Sequence, residues 1–101
     1  MHEIWEVPMS IDEAEARLTS GLNAARISVG KGSPYDSDVH TLDCHYQLPR
    51  GPHFAVGIER FTDQRCSVQI RRAGIARRLT PKGLYAKVVE AVESLGGRRM
   101  E

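Results

Sequence analysis

Three stretches of period-two alternation, joined by short polar turns, constrain this chain more than any other feature. From Val39 to Leu48, one side takes Leu42, Cys44, Tyr46 and Leu48, and the other Thr41, Asp43, His45 and Gln47. From His53 to Phe61, Phe54, Val56 and Ile58 alternate with Gly57 and Glu59. From Arg65 to Arg72, Cys66, Val68 and Ile70 alternate with Arg65, Ser67, Gln69 and Arg71. Successive side chains of a strand point to opposite faces, so each stretch reads as a strand with one buried face. The connections Pro49-Arg50-Gly51-Pro52 and Thr62-Asp63-Gln64 suit antiparallel neighbours, because a parallel crossover needs a dozen residues or more. A three-stranded antiparallel meander is expected.

Helical periodicity flanks the meander. Ser10-Ile11-Asp12-Glu13 matches the reciprocal capping box S-x-x-E, and Ile11, Ala14, Leu18 and Leu22 or Ala25 repeat at helical spacing. That helix stops at Gly21 or runs to about Ala25. Thr80-Pro81 pairs an N-cap residue with a proline at the first helical position. Leu84, Val88, Ala91, Val92 and Leu95 then form an apolar stripe that Gly96-Gly97 ends. Ile4 to Val7, stopped by Pro8, and Arg26 to Val29 read as extra short strands, the first at an edge. Gly30 to Asp38 reads as a loop. The predicted fold class is α+β: a two-layer sandwich of helix, three-stranded antiparallel meander and helix, with both helices on one sheet face. Residues 1–97 make one domain and 98–101 a flexible tail.

Charge is segregated along the chain. Residues 60–87 hold eight Arg or Lys and one acid, whereas residues 1–45 hold eight acids against Arg17, Arg26 and Lys31; the formal net charge of +1 conceals this. A field so uneven points to a polyanionic partner for the second half. The expected partner-binding residues are Arg65 and Arg71 on the outer sheet face, Arg72, Arg77 and Arg78 at the connection to the last helix, and Lys82 in its first turn. The resulting expectation is a small non-enzymatic binding protein, acting as a regulator, inhibitor or adaptor. Its partner would be an acidic protein surface or a nucleoprotein complex. Direct nucleic-acid binding through the same surface is the alternative. Neutralisation of the basic segment by the chain's own acidic half is the plain counter-reading. Pairing of opposite patches also suits a homodimer, with Trp5 either capping the core or contributing to that interface.

No catalytic residue, metal site or cofactor is expected. His40, Cys44, His45 and His53 offer zinc-type ligands and a further alternative, a metal-dependent protein. However, His40 and Cys44 lie about 13 Å apart along a strand, and His45 points away from Cys44. The expected reading is therefore surface histidines and buried thiols. Two cysteines make no disulfide framework, and across an intervening strand Cys44 and Cys66 are too far apart to bond. Gly30-Lys31-Gly32-Ser33 lacks the spacing of a phosphate-binding loop. The N-terminus carries no basic and apolar leader and no apolar run nears the roughly 18 residues of a membrane span, so the expected location is cytoplasmic, without a membrane partner.

The order helix, three strands, helix over residues 10–97 resembles the double-stranded-RNA-binding domain. Gly51-Pro52-His53-Phe54 is similar to that family's G-P-x-H turn between its first two strands, with the histidine one position early. The family's lysine cluster at the last helix is replaced by Thr80-Pro81-Lys82-Gly83. The resemblance implies binding to duplex RNA through the basic surface.

Overall fold

The computed structural model describes residues 3–46, 53–72 and 82–100. In chain order these form β1 (Glu3–Val7), α1 (Ile11–Ala24), β2 (Ile27–Lys31), β3 (Val39–Tyr46), β4 (His53–Thr62), β5 (Arg65–Arg72), α2 (Lys82–Glu93) and β6 (Arg98–Arg99). The predicted turn Pro49–Pro52, the Ala73–Leu79 connection and the Thr80-Pro81 helix start lie outside the described residues. So do Gln47 and Leu48.

The class is α+β, but the sheet has six strands, all antiparallel to their neighbours, in the order β2-β3-β4-β5-β1-β6. Of the three strands beyond the meander, β1 and β2 fall where extra short strands were expected, while β6 and the place of β1 correct the expected architecture. β2 pairs with β3, Ile27 opposite Tyr46. β1 is not an edge: it lies between β5, with Trp5 opposite Val68, and β6. The tail expected from Arg98 onward is instead strand, with Arg98 opposite Glu6 and Arg99 opposite Trp5. Met100 N–H continues it by donating to the Ile4 carbonyl at 2.8 Å. Two consecutive arginines show no alternation, so a strand this short leaves no pattern to read. What forms it is the free edge of β1, whose backbone groups need partners.

Both helices pack on one sheet face. Trp5, Val7, Leu42, Cys44, Phe54, Val56, Ile58, Cys66, Val68 and Ile70 line that face, and Ile11, Ala14, Leu18, Leu22, Val88, Val92 and Leu95 meet them in one core. Burying an aliphatic or aromatic side chain of this kind contributes roughly 1.5–3 kcal/mol. α1 begins as expected, with Glu13 N–H donating to Ser10 Oγ at 3.2 Å. The capping box is only half formed, because the Glu13 carboxylate pairs with Arg17 one turn on, at 2.9 Å. Gly21 does not stop the helix, which ends at Ala24. At α2, Val88, Ala91, Val92 and Leu95 are buried as the stripe requires; the helix ends at Glu93, and Gly96 takes φ +78° in the turn beyond it.

Gly21 faces the second helix with room to spare: a Cβ there would lie 3.7 Å from Ala91 Cβ, an ordinary contact. Glycine inside a helix is less favourable than alanine by about 1 kcal/mol. Gly21→Ala is therefore expected to stabilise the fold by about 1 kcal/mol, read as a higher urea midpoint at unchanged slope. A lower midpoint would show that the helices pack closer than this.

Candidate functional site

Strand direction sorts the charges. One end of the sheet holds the start of α1, the β2–β3 connection and the β4–β5 turn, and with them Asp12, Glu13, Glu15, Asp36, Asp38 and Asp63. The other end holds the end of α1, the start of β2, the end of β5 and the start of α2. There stand Arg26, Arg71, Arg72 and Lys82, together with Glu3 opposite Ile70 and Asp43 level with Arg71 across Ala55. The Phe54 and Tyr85 rings, with centroids 6.4 Å apart, hold the first turn of α2 against this end. Arg26 and the end of β5 are three strand spacings apart, about 14 Å.

The expected partner-binding residues divide between these ends. Arg65 begins β5 at the acidic end, where its guanidinium meets Glu6 at 3.0 Å. Arg60, also of the basic segment, is held there by Asp38 at 3.4 Å, Asp63 at 3.2 Å and the Ser37 carbonyl at 3.0 Å. Arg71 lies six residues from Arg65 on the same face, about 20 Å away. Its guanidinium does not project outward but lies over Gly57, about 3.6 Å from where a Cβ would be. Arg72 closes β5 opposite Phe54, and Lys82 opens α2; only their backbone positions are described. Arg77 and Arg78, between them in sequence, lie outside the described residues.

The sheet face turned away from the helices has no described helix over it. It carries Ile4, Glu6, Thr41, Asp43, His45, Ala55, Gly57, Glu59, Ser67, Gln69 and Arg71. Two residues expected to be exposed there are buried, Thr41 at 4% and Ser67 at 8% exposure. Gly32 explains the first: a Cβ on it would fall within 3.0 Å of the Thr41 methyl and 2.8 Å of Asp43 Oδ1, so the backbone after β2 covers that corner.

The histidine and cysteine group does not converge. Cys44 is buried in the core face and His45 is exposed on the other; the His53 side chain is outside the described set. Cys44 stands opposite Phe54 and Cys66 opposite Arg60, so the two thiols are separated by about 20 Å along the strands as well as by β4. Both are free and buried. Burial pushes the Cys44 thiol up to about 12, with the Asp43 charge adding to it, and pushes Cys66 up to about 11. A nucleophilic cysteine needs the reverse shift. Trp5 is fully buried, which places it in the core rather than at an interface. Gly30 and Lys31 end β2, and no helix follows Ser33, so this segment is not a phosphate loop. Native protein at pH 8 should therefore react with a thiol-specific chromogenic disulfide orders of magnitude more slowly than urea-unfolded protein, where both thiols respond at once. Fast native labelling would contradict the burial.

His40 corrects the expectation of surface histidines: it is 5% exposed, on the core side at the start of β3. Tyr35 stacks on its ring, with centroids 4.4 Å apart and planes within 10°. The Tyr35 hydroxyl donates to Glu15 Oε1 at 2.5 Å, and Glu15 Oε2 stands 3.2 Å from His40 Nδ1. That approach is an ion-pair distance with poor hydrogen-bond alignment, and Nδ1 has no hydrogen-bond partner among the described residues. The hydrogen bond to Glu15 pushes the Tyr35 hydroxyl up to about 12, because ionising it would set two negative charges together. Lys31 Nζ sits over the same ring, 4.8 Å from its centroid. Asp12, one helical turn before Glu15, completes the group. Sequence reading missed this cluster because its members come from a helix, a loop and a strand. The only local trace was the acid pair at i, i+3.

Between the end of α1 and α2 runs an open groove of about 380 Å³, lined mostly by small residues, Gly21, Ala24, Ala25, Ala91 and Ser94, with Lys87 and Glu90 at its rim. The Ser94 hydroxyl in this lining donates to the Ala91 carbonyl at 2.6 Å. No helix among the described residues is long and apolar enough to cross a membrane. No known protein-family model matches the chain, and no curated protein is detectably similar to it.

Proposed function

We propose that this protein is a non-enzymatic binding module that docks its basic end on an acidic protein surface, as a regulator, inhibitor or adaptor. The observation that supports this reading is the charge polarity along the strand axis. At the acidic end, Arg60 and Arg65 are engaged by carboxylates of the chain itself. At the other end stand Arg26, Arg71, Arg72 and Lys82, with Glu3 opposite Ile70 and Asp43 level with Arg71 as the acids of that end. Internal neutralisation thus accounts for Arg60 and Arg65, and in this reading a partner meets the cations of the other end. Arginine suits this role because its planar fork pairs two donors with one carboxylate.

Arg26 adds a second argument. It sits at φ +66°, in the left-handed region just past α1, where glycine is favoured. A non-glycine residue there costs about 1–2 kcal/mol. Arginine at a position that favours glycine is consistent with a role for its side chain.

Anisotropy titrations at about 50 and 200 mM salt against a glutamate-rich peptide, duplex RNA, duplex DNA and single strands test the reading. The expected result is peptide binding that Arg71→Ala with Arg72→Ala weakens about tenfold, while Arg65→Ala, whose guanidinium is already paired with Glu6, changes it little. Nucleic-acid binding that falls by orders of magnitude between the two salts would instead support the RNA- or DNA-binding alternative. Silence with every probe at low salt would count against both.

Arg26→Gly separates binding from stability. It is expected to raise unfolding free energy by about 1 kcal/mol by relieving the left-handed strain, while weakening the same peptide binding. Weaker binding with lower stability would mean that Arg26 serves the fold.

A further inference from the structure

We propose that Asp12, Glu15 and His40 form a site for one divalent transition-metal ion of the zinc class. The three residues each offer one donor atom, and these atoms all lie within 4.8 Å of one another. Asp12 and Glu15 stand at i, i+3 in the first turns of α1, on the side facing the start of β3, where His40 sits. The Glu15 Oε2 to His40 Nδ1 distance of 3.2 Å is close to the edge of a tetrahedron with zinc–ligand bonds of about 2.0–2.1 Å, roughly 3.4 Å. Asp12 is exposed, so its carboxylate has freedom to close the remaining gap and leaves an entry path for the ion.

Acidic residues at a helix start are common without any ligand. The independent observation here is His40. Its side chain is 7% exposed, and Nδ1, turned toward the carboxylates, has no hydrogen-bond partner among the described residues. Burying a polar nitrogen unpaired is unfavourable, and a cation between it and Glu15 Oε2 would satisfy both. The surroundings already hold the ligands in place. Tyr35 donates to Glu15 Oε1, which leaves Oε2 for the ion, and stacks on the His40 ring. Such outer partners orient ligating side chains. Glu13, next to Asp12 in sequence, is occupied by Arg17 and is not part of the set.

The donor set selects the ion. One imidazole and two carboxylates suit zinc and neighbouring transition ions, with a fourth position left for water. Calcium and magnesium favour all-oxygen shells. The positive end of the α1 dipole opposes any cation, and two ionised carboxylates are needed to outweigh it. A bound ion would clip α1 to β3 and add two positive charges to the acidic end, lowering the polarity of the molecule.

The test uses the full chain, freed of metal with chelator and then titrated calorimetrically with zinc chloride alone. One equivalent is expected to bind and to raise the thermal midpoint. Asp12→Asn removes an exposed carboxylate from the first turn of α1, so it is expected to lower the metal-free midpoint by only a few degrees while weakening zinc at least about tenfold. Glu15→Gln and His40→Gln are expected to weaken binding further, and Cys44→Ser with Cys66→Ser to leave it intact. The proposal is overturned by the absence of stoichiometric binding. Affinity that survives undiminished in Asp12→Asn and Glu15→Gln, or that is lost with the cysteines, overturns it as well.

Discussion

The placement of β1 governs the rest of this fold. A three-stranded meander has two open edges, and β1 closes one of them by pairing Glu3 through Val7 with Ile70 back to Cys66. β2 closes the other edge, so α1 must carry the chain across the whole sheet between them. Four strand spacings amount to about 19 Å, and a helix of 14 residues spans about 21 Å. α1 is therefore long enough to cross the sheet diagonally, and it buries Ile11, Ala14, Leu18 and Leu22 over the strands it passes. β1 then leaves a new edge of its own, which the last residues cover as β6. Trp5 sits at the junction, fully buried opposite Val68, with the Arg99 guanidinium 5.6 Å from its ring centroid.

The same topology turns a linear segregation of charge into a spatial one, though not by simple halves. β5 runs from the acidic end to the basic end, so the basic segment is divided. Its first arginines, Arg60 and Arg65, meet carboxylates of the acidic end, whereas Arg71 lies about 20 Å further along β5. Ion pairs at such exposed positions contribute little to stability, about 0–1 kcal/mol each. Their importance here lies in deciding which cations are engaged within the chain itself.

At the acidic end, repulsion among carboxylates is relieved locally. Asp36 accepts from the backbone N–H groups of Asp38 and Val39, which hold its carboxyl below the usual range. Asp38 and Asp63 share Arg60. Glu15 takes a different course, drawing the Tyr35 hydroxyl and the buried His40 into contact. The loop after β2 thus does more than connect two strands. It lays Gly32 over the polar face of the sheet and Tyr35 against His40 on the core side.

Local patterns in the sequence determined the period-two strands over 39–46, 53–62 and 65–72, the start of α1 at Ser10, and the buried faces of both helices. Each rests on neighbours in sequence that share one face, which periodicity records directly. Glu3–Val7 and Ile27–Lys31 were legible as strands but not as to position, because a strand five residues long does not say which edge it will join. β6 was not legible at all, since Arg98 and Arg99 are strand only because the edge of β1 is there to pair with. The charge imbalance was plain in the sequence, yet which arginines are neutralised depended on Glu6 and Asp38 reaching Arg65 and Arg60 across the sheet. The group of Asp12, Glu15, Tyr35 and His40 belongs wholly to the tertiary structure, because its members meet only after α1 has crossed the sheet and packed against the start of β3.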